Sequence, residues 1–127
     1  MLIIFISLAQ MYILIGTNVN MDNWRLDHLK SLHAEDPEDD FVLYALAQEY
    51  SKLGLLQQSL DHYQLLKGKS PDYVGLYYHL GGLYVEMDES DKALEIYGEG
   101  IKVANKLKDH HALSELKNAK TNLELEL

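Results

Sequence analysis

The chain has 127 residues, which indicates one domain, and 20 Asp and Glu against 11 Lys and Arg give it a formal net charge of −9. This acidic balance argues against nucleic-acid binding, because contacts to a phosphate backbone need clustered Lys and Arg. The sequence has no cysteine, which excludes disulfides, thiolate metal sites and a cysteine nucleophile.

Residues 1–20 differ from the rest of the chain, since 14 of them are hydrophobic and none is charged. The apolar run 1–15 is shorter than the ~20 residues of a membrane-spanning helix. It also lacks the basic start and the cleavage site of a signal peptide. We expect this apolar leader to lie outside the fold, with Met21 as the true start. An atypical export signal or weak anchor, and a buried N-terminal element, are the alternatives.

The first helix is predicted over residues 22–35. Trp24, Leu26, Leu29 and Leu32 recur there at helical spacing and are expected to form its apolar face. This single helix precedes a repeat, because a shift of 34 residues superposes much of residues 40–73 on residues 74–107. The superposed pairs are Tyr44 and Tyr78, Leu46 and Leu80, Tyr50 and Tyr84, Leu60 and Leu94, and Tyr63 and Tyr97.

Each of these two units is predicted to be a pair of helices. Apolar residues recur at positions i, i+3, i+4 and i+7 in both halves of a unit, while Gly54 separates the halves and Pro71 follows the second. Asp88 occupies the turn position of Gly54 in the second unit. Asn105 stands where a proline would end that unit, so we expect its last helix to continue to Lys106 or Lys108.

A last helix is predicted over residues 109–123. Asp109 is a suitable N-cap for this helix. The outer face of the helix is polar, which suits the end of a short stack of hairpins. The apolar stripe of this helix consists of Ala112, Leu113, Leu116, Ala119 and Leu123.

The repeated pattern resembles the tetratricopeptide repeat family, whose units read W-x2-L-G-x2-Y, A-x3-F and P with a 34-residue period. The first copy reads Leu43-x2-Leu46-Ala47-x2-Tyr50, Ser59-x3-Tyr63, Pro71, and the second reads Tyr77-x2-Leu80-Gly81-x2-Tyr84, Ala93-x3-Tyr97. The resemblance implies an all-α fold of antiparallel helical hairpins stacked as a short right-handed solenoid. Its parts are a half-repeat (22–35), two repeats (40–73 and 74–107) and a capping helix (109–123), as in small bacterial two-repeat proteins.

The resemblance also implies that the motif residues are structural. The small residues Ala47, Gly81 and Ala93 let helices approach closely, and the tyrosines of the motif pack between helices. These tyrosines are Tyr50, Tyr63, Tyr84 and Tyr97.

Patterns for catalysis or metal binding are weak. His111 and Glu115 lie four residues apart, but two ligands do not close a zinc site. The segment 68–70 lacks the upstream glycine of a phosphate-binding loop. The carboxylates of 35–40 lack the spacing of a calcium loop and suit the positive end of a helix. We therefore expect no catalytic residue, no metal, no cofactor and no enzymatic activity.

Binding is expected on the two inward-facing helices, ~39–52 and ~73–86. Each carries a second stripe beside its core stripe, and in the family this face lines a concave groove that receives peptides. The candidate partner-binding residues are Phe41, Tyr44 and Gln48 on the first helix and Gly75, Tyr78, Gly82 and Val85 on the second. Aromatic residues beside glycines predict an apolar shelf with room for another chain. A terminal helix that covers this stripe is the alternative.

The resemblance thus implies a cytoplasmic scaffold or adaptor that binds a protein or peptide partner. The Lys and Asn with which some family members grip a C-terminal carboxylate are absent from the stripe. Two other functions stay open. The groove face could form a homodimer, or the chain could be a membrane-tethered or exported accessory protein if residues 1–20 are genuine.

Residues 21–127 expressed alone should be soluble and helical by circular dichroism, because the repeat register and every charge begin after Met21. Insoluble or non-helical protein would mean that the apolar leader belongs to the fold.

Overall fold

Residues 24–127 are described in a computed structural model, and within this range they form six helices and no strand. The helices are α1 (24–35), α2 (Asp40–Lys52), α3 (Leu56–Lys69), α4 (Gly75–Glu86), α5 (Ser90–Leu107) and α6 (His110–Glu126). The prediction of an all-α stack of hairpins is confirmed. The apolar leader 1–20 lies outside the described residues.

The order of packing follows the chain. Helix α2 packs on α3, α4 on α5 and α5 on α6, while α3 contacts α4 between the two hairpins. Helix α4 also contacts both α2 and α6. Helices α2, α4 and α6 therefore lie side by side in one layer, and this layer carries the predicted binding face.

Local chemistry sets the ends of the helices. The Asp39 carboxylate accepts hydrogen bonds from the backbone N–H groups at the start of α2, and the Asp109 carboxylate accepts one from the Ala112 N–H at 3.0 Å. The turns after α2 and α4 both need a left-handed residue. Gly54 supplies it at φ 77°, and Asp88, its counterpart in the second repeat, adopts φ 58°. Helix α5 passes Asn105 and ends at Leu107.

The buried residues form two clusters. The larger cluster contains residues from all five helices α2 to α6. The smaller cluster joins Leu26 and Leu29 of α1 to Val42 and Leu46 of α2. The prediction that Trp24 belongs to the apolar face of α1 is wrong, because its side chain is 68% exposed. Successive helical residues are rotated by about 100°, so Trp24 faces away from Leu26 and stacks instead on His28.

An ion pair adds to the attachment of α1. Glu49 of α2 is only 3% exposed, and its carboxylate lies 3.1 Å from the Arg25 guanidinium. A buried carboxylate without a cation is costly. Arg25 therefore favours the docked position of α1.

Small residues allow α4 and α5 to approach closely, as the motif predicts for Gly81. A methyl group at Gly81 would lie 2.6 Å from Cδ1 of the Tyr97 ring, and one at Gly100 would lie 2.5 Å from Cβ of Tyr77. The sequence analysis missed Gly100. In the first hairpin, Ser59 is fully buried and its hydroxyl donates a hydrogen bond to the Ala47 carbonyl at 2.6 Å.

Substitution of Leu46 or Leu80 by Ala should each lower the free energy of unfolding by about 2–5 kcal/mol, because both side chains are buried and truncation leaves a cavity. Chemical denaturation measures the loss. Leu65→Ala is the matched control, since Leu65 is 54% exposed on α3. A control as destabilised as the two core variants would contradict the assigned core.

Candidate functional site

A depression of about 290 Å³ opens between α2 and α4. Gln48, Ser51 and Lys52 line it from α2, Tyr78, His79, Gly82, Leu83 and Glu86 line it from α4, and Tyr63 of α3 completes the lining. Pockets for small molecules and cofactors usually measure ~300–1,000 Å³. This depression therefore lies at the small end of that range.

The structure brings together three of the seven candidate residues at this depression, namely Gln48, Tyr78 and Gly82. Tyr44 and Gly75 lie together in a neighbouring shallow depression with Tyr73. The remaining two candidates line neither depression. Phe41 is 65% exposed near the start of α2, and Val85 is half-buried against the larger core cluster.

Tyr44 packs within the molecule as much as it faces the groove. Its ring centroid lies 6.3 Å from that of Tyr63 and 5.3 Å from that of Tyr73, and its hydroxyl accepts a hydrogen bond from Gln48 at 3.2 Å. Burial raises the pKa of this hydroxyl. A Cβ at Gly75 would lie 3.7 Å from the Tyr44 oxygen. The room expected beside Gly75 is thus taken by the chain's own tyrosine.

Tyr78 and His79 form the exposed aromatic wall of the depression. Tyr78 is 40% exposed, and its ring lies edge-to-face with that of His79 at 5.4 Å between centroids. The His79 ring also contacts Tyr44 and lies 3.4 Å from the Gln48 amide nitrogen. Burial lowers the pKa of His79, although Glu115 on α6 opposes this shift. The lowered pKa favours the neutral form of the His79 ring.

The sequence did not predict His79 as a residue of this site, nor Glu115 as a charge that acts on it. His79 precedes Gly82 by three positions, and residues at that spacing share one face of a helix. This spacing is the signal that could have found it. Glu115 comes from α6 and pairs with His111 at 3.0 Å. No spacing within the repeats predicts that its charge acts on His79 of α4.

Gly82 leaves open space where Gly81 does not. Apart from its own helix backbone and chain neighbours, no heavy atom of residues 24–127 lies within 4 Å of the position that a Cβ would take at Gly82. A glycine inside a helix costs about 1 kcal/mol relative to Ala. Packing against Tyr97 explains this cost at Gly81, but no contact within residues 24–127 explains it at Gly82.

The described part of the chain, residues 24–127, holds no group of three or more His, Asp or Glu side chains arranged to bind a metal ion. None of its helices combines the length and the hydrophobicity that a membrane span requires.

Known structures share this fold. A tetratricopeptide repeat domain protein from Salinibacter ruber, solved by NMR, is 46% identical, with a TM-score of 0.68 over 70% of this chain and 90% of its own. A crystal structure of such a domain from the same organism is 44% identical, with a TM-score of 0.65 over 68% of this chain and 96% of its own. PcrH in complex with the chaperone binding region of PopD is 15% identical, with a TM-score of 0.76 over 94% of this chain and 92% of its own.

No model of a known protein family and no curated protein matches the sequence. The Salinibacter ruber relatives nevertheless show the family. The chain belongs to the tetratricopeptide repeat family, and the resemblance seen in the sequence is confirmed.

The neighbouring glycines of α4 should respond in opposite ways to substitution by Ala. Gly81→Ala should lower the free energy of unfolding by about 1–3 kcal/mol, because the new methyl group overlaps the buried Tyr97 ring. Gly82→Ala should raise it by up to about 1 kcal/mol through helix propensity alone. Chemical denaturation of the two variants measures both changes. A loss of stability in Gly82→Ala would show that its open space belongs to the core.

Proposed function

We propose that this protein is a non-catalytic scaffold or adaptor that binds a peptide segment of a partner protein in the groove between α2 and α4. Family membership and the solved neighbours support a protein–protein interaction module. The observation that carries the proposal is the exposed Tyr78 ring beside the open space at Gly82, in the layer formed by α2, α4 and α6.

An exposed aromatic ring beside an unfilled depression is suited to holding a partner. Tyrosines are enriched among the residues that contribute most to binding energy, because they bury a large area and lose little conformational freedom. The Tyr78 ring packs against the His79 ring. Tyr78 therefore loses less conformational entropy when a partner binds.

Apolar and hydrogen-bonding contacts should dominate this interaction. Burial lowers the pKa of His79, which favours its neutral form, and the Gln48 amide and the Ser51 hydroxyl line the same depression. Salt screens contacts between charges and has little effect on apolar contacts. We therefore expect binding to depend weakly on ionic strength, and the acidic chain to disfavour acidic peptides.

The test is selection of a phage-displayed library of random 12-residue peptides on the full chain. Peptides that bind the wild type should bind Tyr78→Ala about tenfold or more weakly by isothermal titration calorimetry, at an unchanged melting temperature. Tyr78 is preferred to Tyr44 because Tyr44 also packs in the core. Leu65→Ala, exposed on α3, serves as the control and should bind as the wild type does.

Equal binding to wild type and Tyr78→Ala would place the site elsewhere. Light scattering on the full chain tests the alternative of a self-associating unit. A dimer that becomes a monomer in Tyr78→Ala would identify the groove as a homodimer interface instead of a peptide site.

A further inference from the structure

We propose that copies of this chain stack head to tail, with the outer face of α1 in one copy packed on α5 and α6 of another. This outer face, the α1 stripe, consists of Trp24, His28 and Ser31, which are all exposed. The receiving surface is a depression between α5 and α6, which shares no lining residue with the depression between α2 and α4. The junction therefore uses residues outside the proposed peptide groove.

Helices α1, α3 and α5 are equivalent members of one series. The shift of 34 residues that relates α3 to α5 also places Leu26 of α1 on Leu60 of α3, and Leu32 on Leu66. Helix α1 thus corresponds to the second helix of a repeat. Consecutive repeats of a solenoid pack on each other through equivalent surfaces, so each helix of this series lies beside the next one.

Two contacts within the chain show how such helices meet. The His33 ring of α1 lies 6.4 Å from the His62 ring of α3 between centroids, and Lys67 of α3 pairs with Glu99 of α5 at 2.6 Å. His33 and Lys67 are equivalent under the shift. Their partners lie one turn apart, because Glu99 corresponds to Leu65, three residues after His62. One side of each helix therefore faces the next helix of the series.

The same register predicts how α1 of a second copy would lie beside α5. On α5, the residue equivalent to the first member of both contacts is Ile101. On α1, the residues equivalent to the second members are His28 and Ser31. Trp24 precedes Ser31 by seven residues, as Leu94 precedes Ile101. This register therefore lays the α1 stripe along α5, with its Trp24 near Leu94.

Helix α6 completes the receiving surface. It contacts α4 and α5 as α4 contacts α2 and α3, so it takes the place of the first helix of a repeat. A second helix of that repeat would pack on both α5 and α6. Between them lies a shallow depression of about 530 Å³, lined by Leu94, Glu95, Gly98, Glu99 and Lys102 of α5 and Lys120 of α6. No helix of residues 24–127 fills it.

The shapes of the two surfaces are complementary. Trp24 is 68% exposed and stacks flat on His28, with 5.5 Å between the ring centroids. In the register above, His28 faces Gly98. Outside its own helix backbone and chain neighbours, no heavy atom of residues 24–127 lies within 4 Å of a Cβ position at Gly98. This glycine leaves room for a ring, and Leu94 offers Trp24 an apolar contact that removes its indole from water.

Opposite charges meet in the same register. Arg25 of the second copy lies near Glu95, and its side chain is 64% exposed although it also pairs with Glu49. Lys102 of the first copy lies within about one turn of Glu35 of the second. These contacts oppose the repulsion between two chains of net charge −9, which salt screens at physiological ionic strength.

Sedimentation velocity of the full chain at increasing concentration tests the junction. The two surfaces are different, so a copy that has joined still offers a free end, and the average mass should rise beyond that of a dimer. Trp24→Ala and Gly98→Arg should each weaken association about tenfold or more at an unchanged melting temperature. A wild type that stays monomeric up to about 1 mM, where even weak specific contacts are populated, would overturn the proposal.

A mixture of the two variants gives the sharpest test. Trp24→Ala retains the depression between α5 and α6, whereas Gly98→Arg retains the α1 stripe. An equimolar mixture should therefore form dimers and nothing larger, because only one junction is available to each molecule. If Gly98→Arg melts below the wild type, Glu95→Arg takes its place, since Glu95 is exposed on the same rim and the new cation would face Arg25. A mixture that remains monomeric would contradict the head-to-tail arrangement.

Gly82→Arg is the matched control for Gly98→Arg. Gly82 also has open space at its Cβ position, but it lines the depression between α2 and α4. This variant should assemble as the wild type does. Assembly that is lost in Gly82→Arg and kept in Gly98→Arg would show that copies meet through the groove. Oligomers that persist in both Trp24→Ala and Gly98→Arg would place the contact on another part of the chain.

Discussion

The close approach of α4 and α5 is the constraint on which the rest of the described structure depends. Each helix has a glycine at the contact, and a tyrosine of the other helix packs against that glycine. The Tyr97 ring of α5 lies against Gly81 of α4, and Tyr77 of α4 lies against Gly100 of α5. Because protein interiors are close-packed, neither glycine can gain a methyl group without displacing a buried ring. Two reciprocal contacts of this kind fix both the distance and the rotation of α4.

The two helices of the first hairpin also pack closely, but with side chains of different size at the equivalent positions. Under the 34-residue shift, Tyr77 and Gly100 correspond to Leu43 and Leu66, which are both fully buried. A large residue facing a glycine is thus replaced by two residues of middle size. Two leucines together are larger than a tyrosine and a glycine, so the two hairpins fill this pair of positions with different volumes. The hairpins keep their geometry while the residues at this pair of positions differ.

The position of the core residues also explains which parts of the site could be predicted. The repeat register identified the core stripe and the turn position at Asp88, because both follow from spacing and from comparison with Gly54. The direction of a side chain at the edge of a stripe depends on neighbouring helices. Spacing alone therefore placed Tyr44 on the groove face without showing that it fills the space over Gly75. The same limit explains the error at Trp24.

His79 and Glu115 show a second reason why part of the site was missed. Their relation crosses from α4 to α6, and no repeat in the sequence connects these helices at those positions. What brings them near each other is the packing of α6 on both α5 and α4. Such a contact is a consequence of the whole stack. It becomes visible only when the rotation of α4, set by its contacts with α5, is known.

Helix α4 can carry both a rigid core and an open site because neighbouring helical positions point in different directions. Gly81 and Gly82 are adjacent in sequence but about 100° apart around the helix axis. The first is required by the Tyr97 ring, and the second borders the groove. A change at Gly82 therefore meets no tyrosine from α5 and leaves the reciprocal contacts intact. In this helix the residue that borders the groove can therefore change while the packing that holds the hairpin together stays the same.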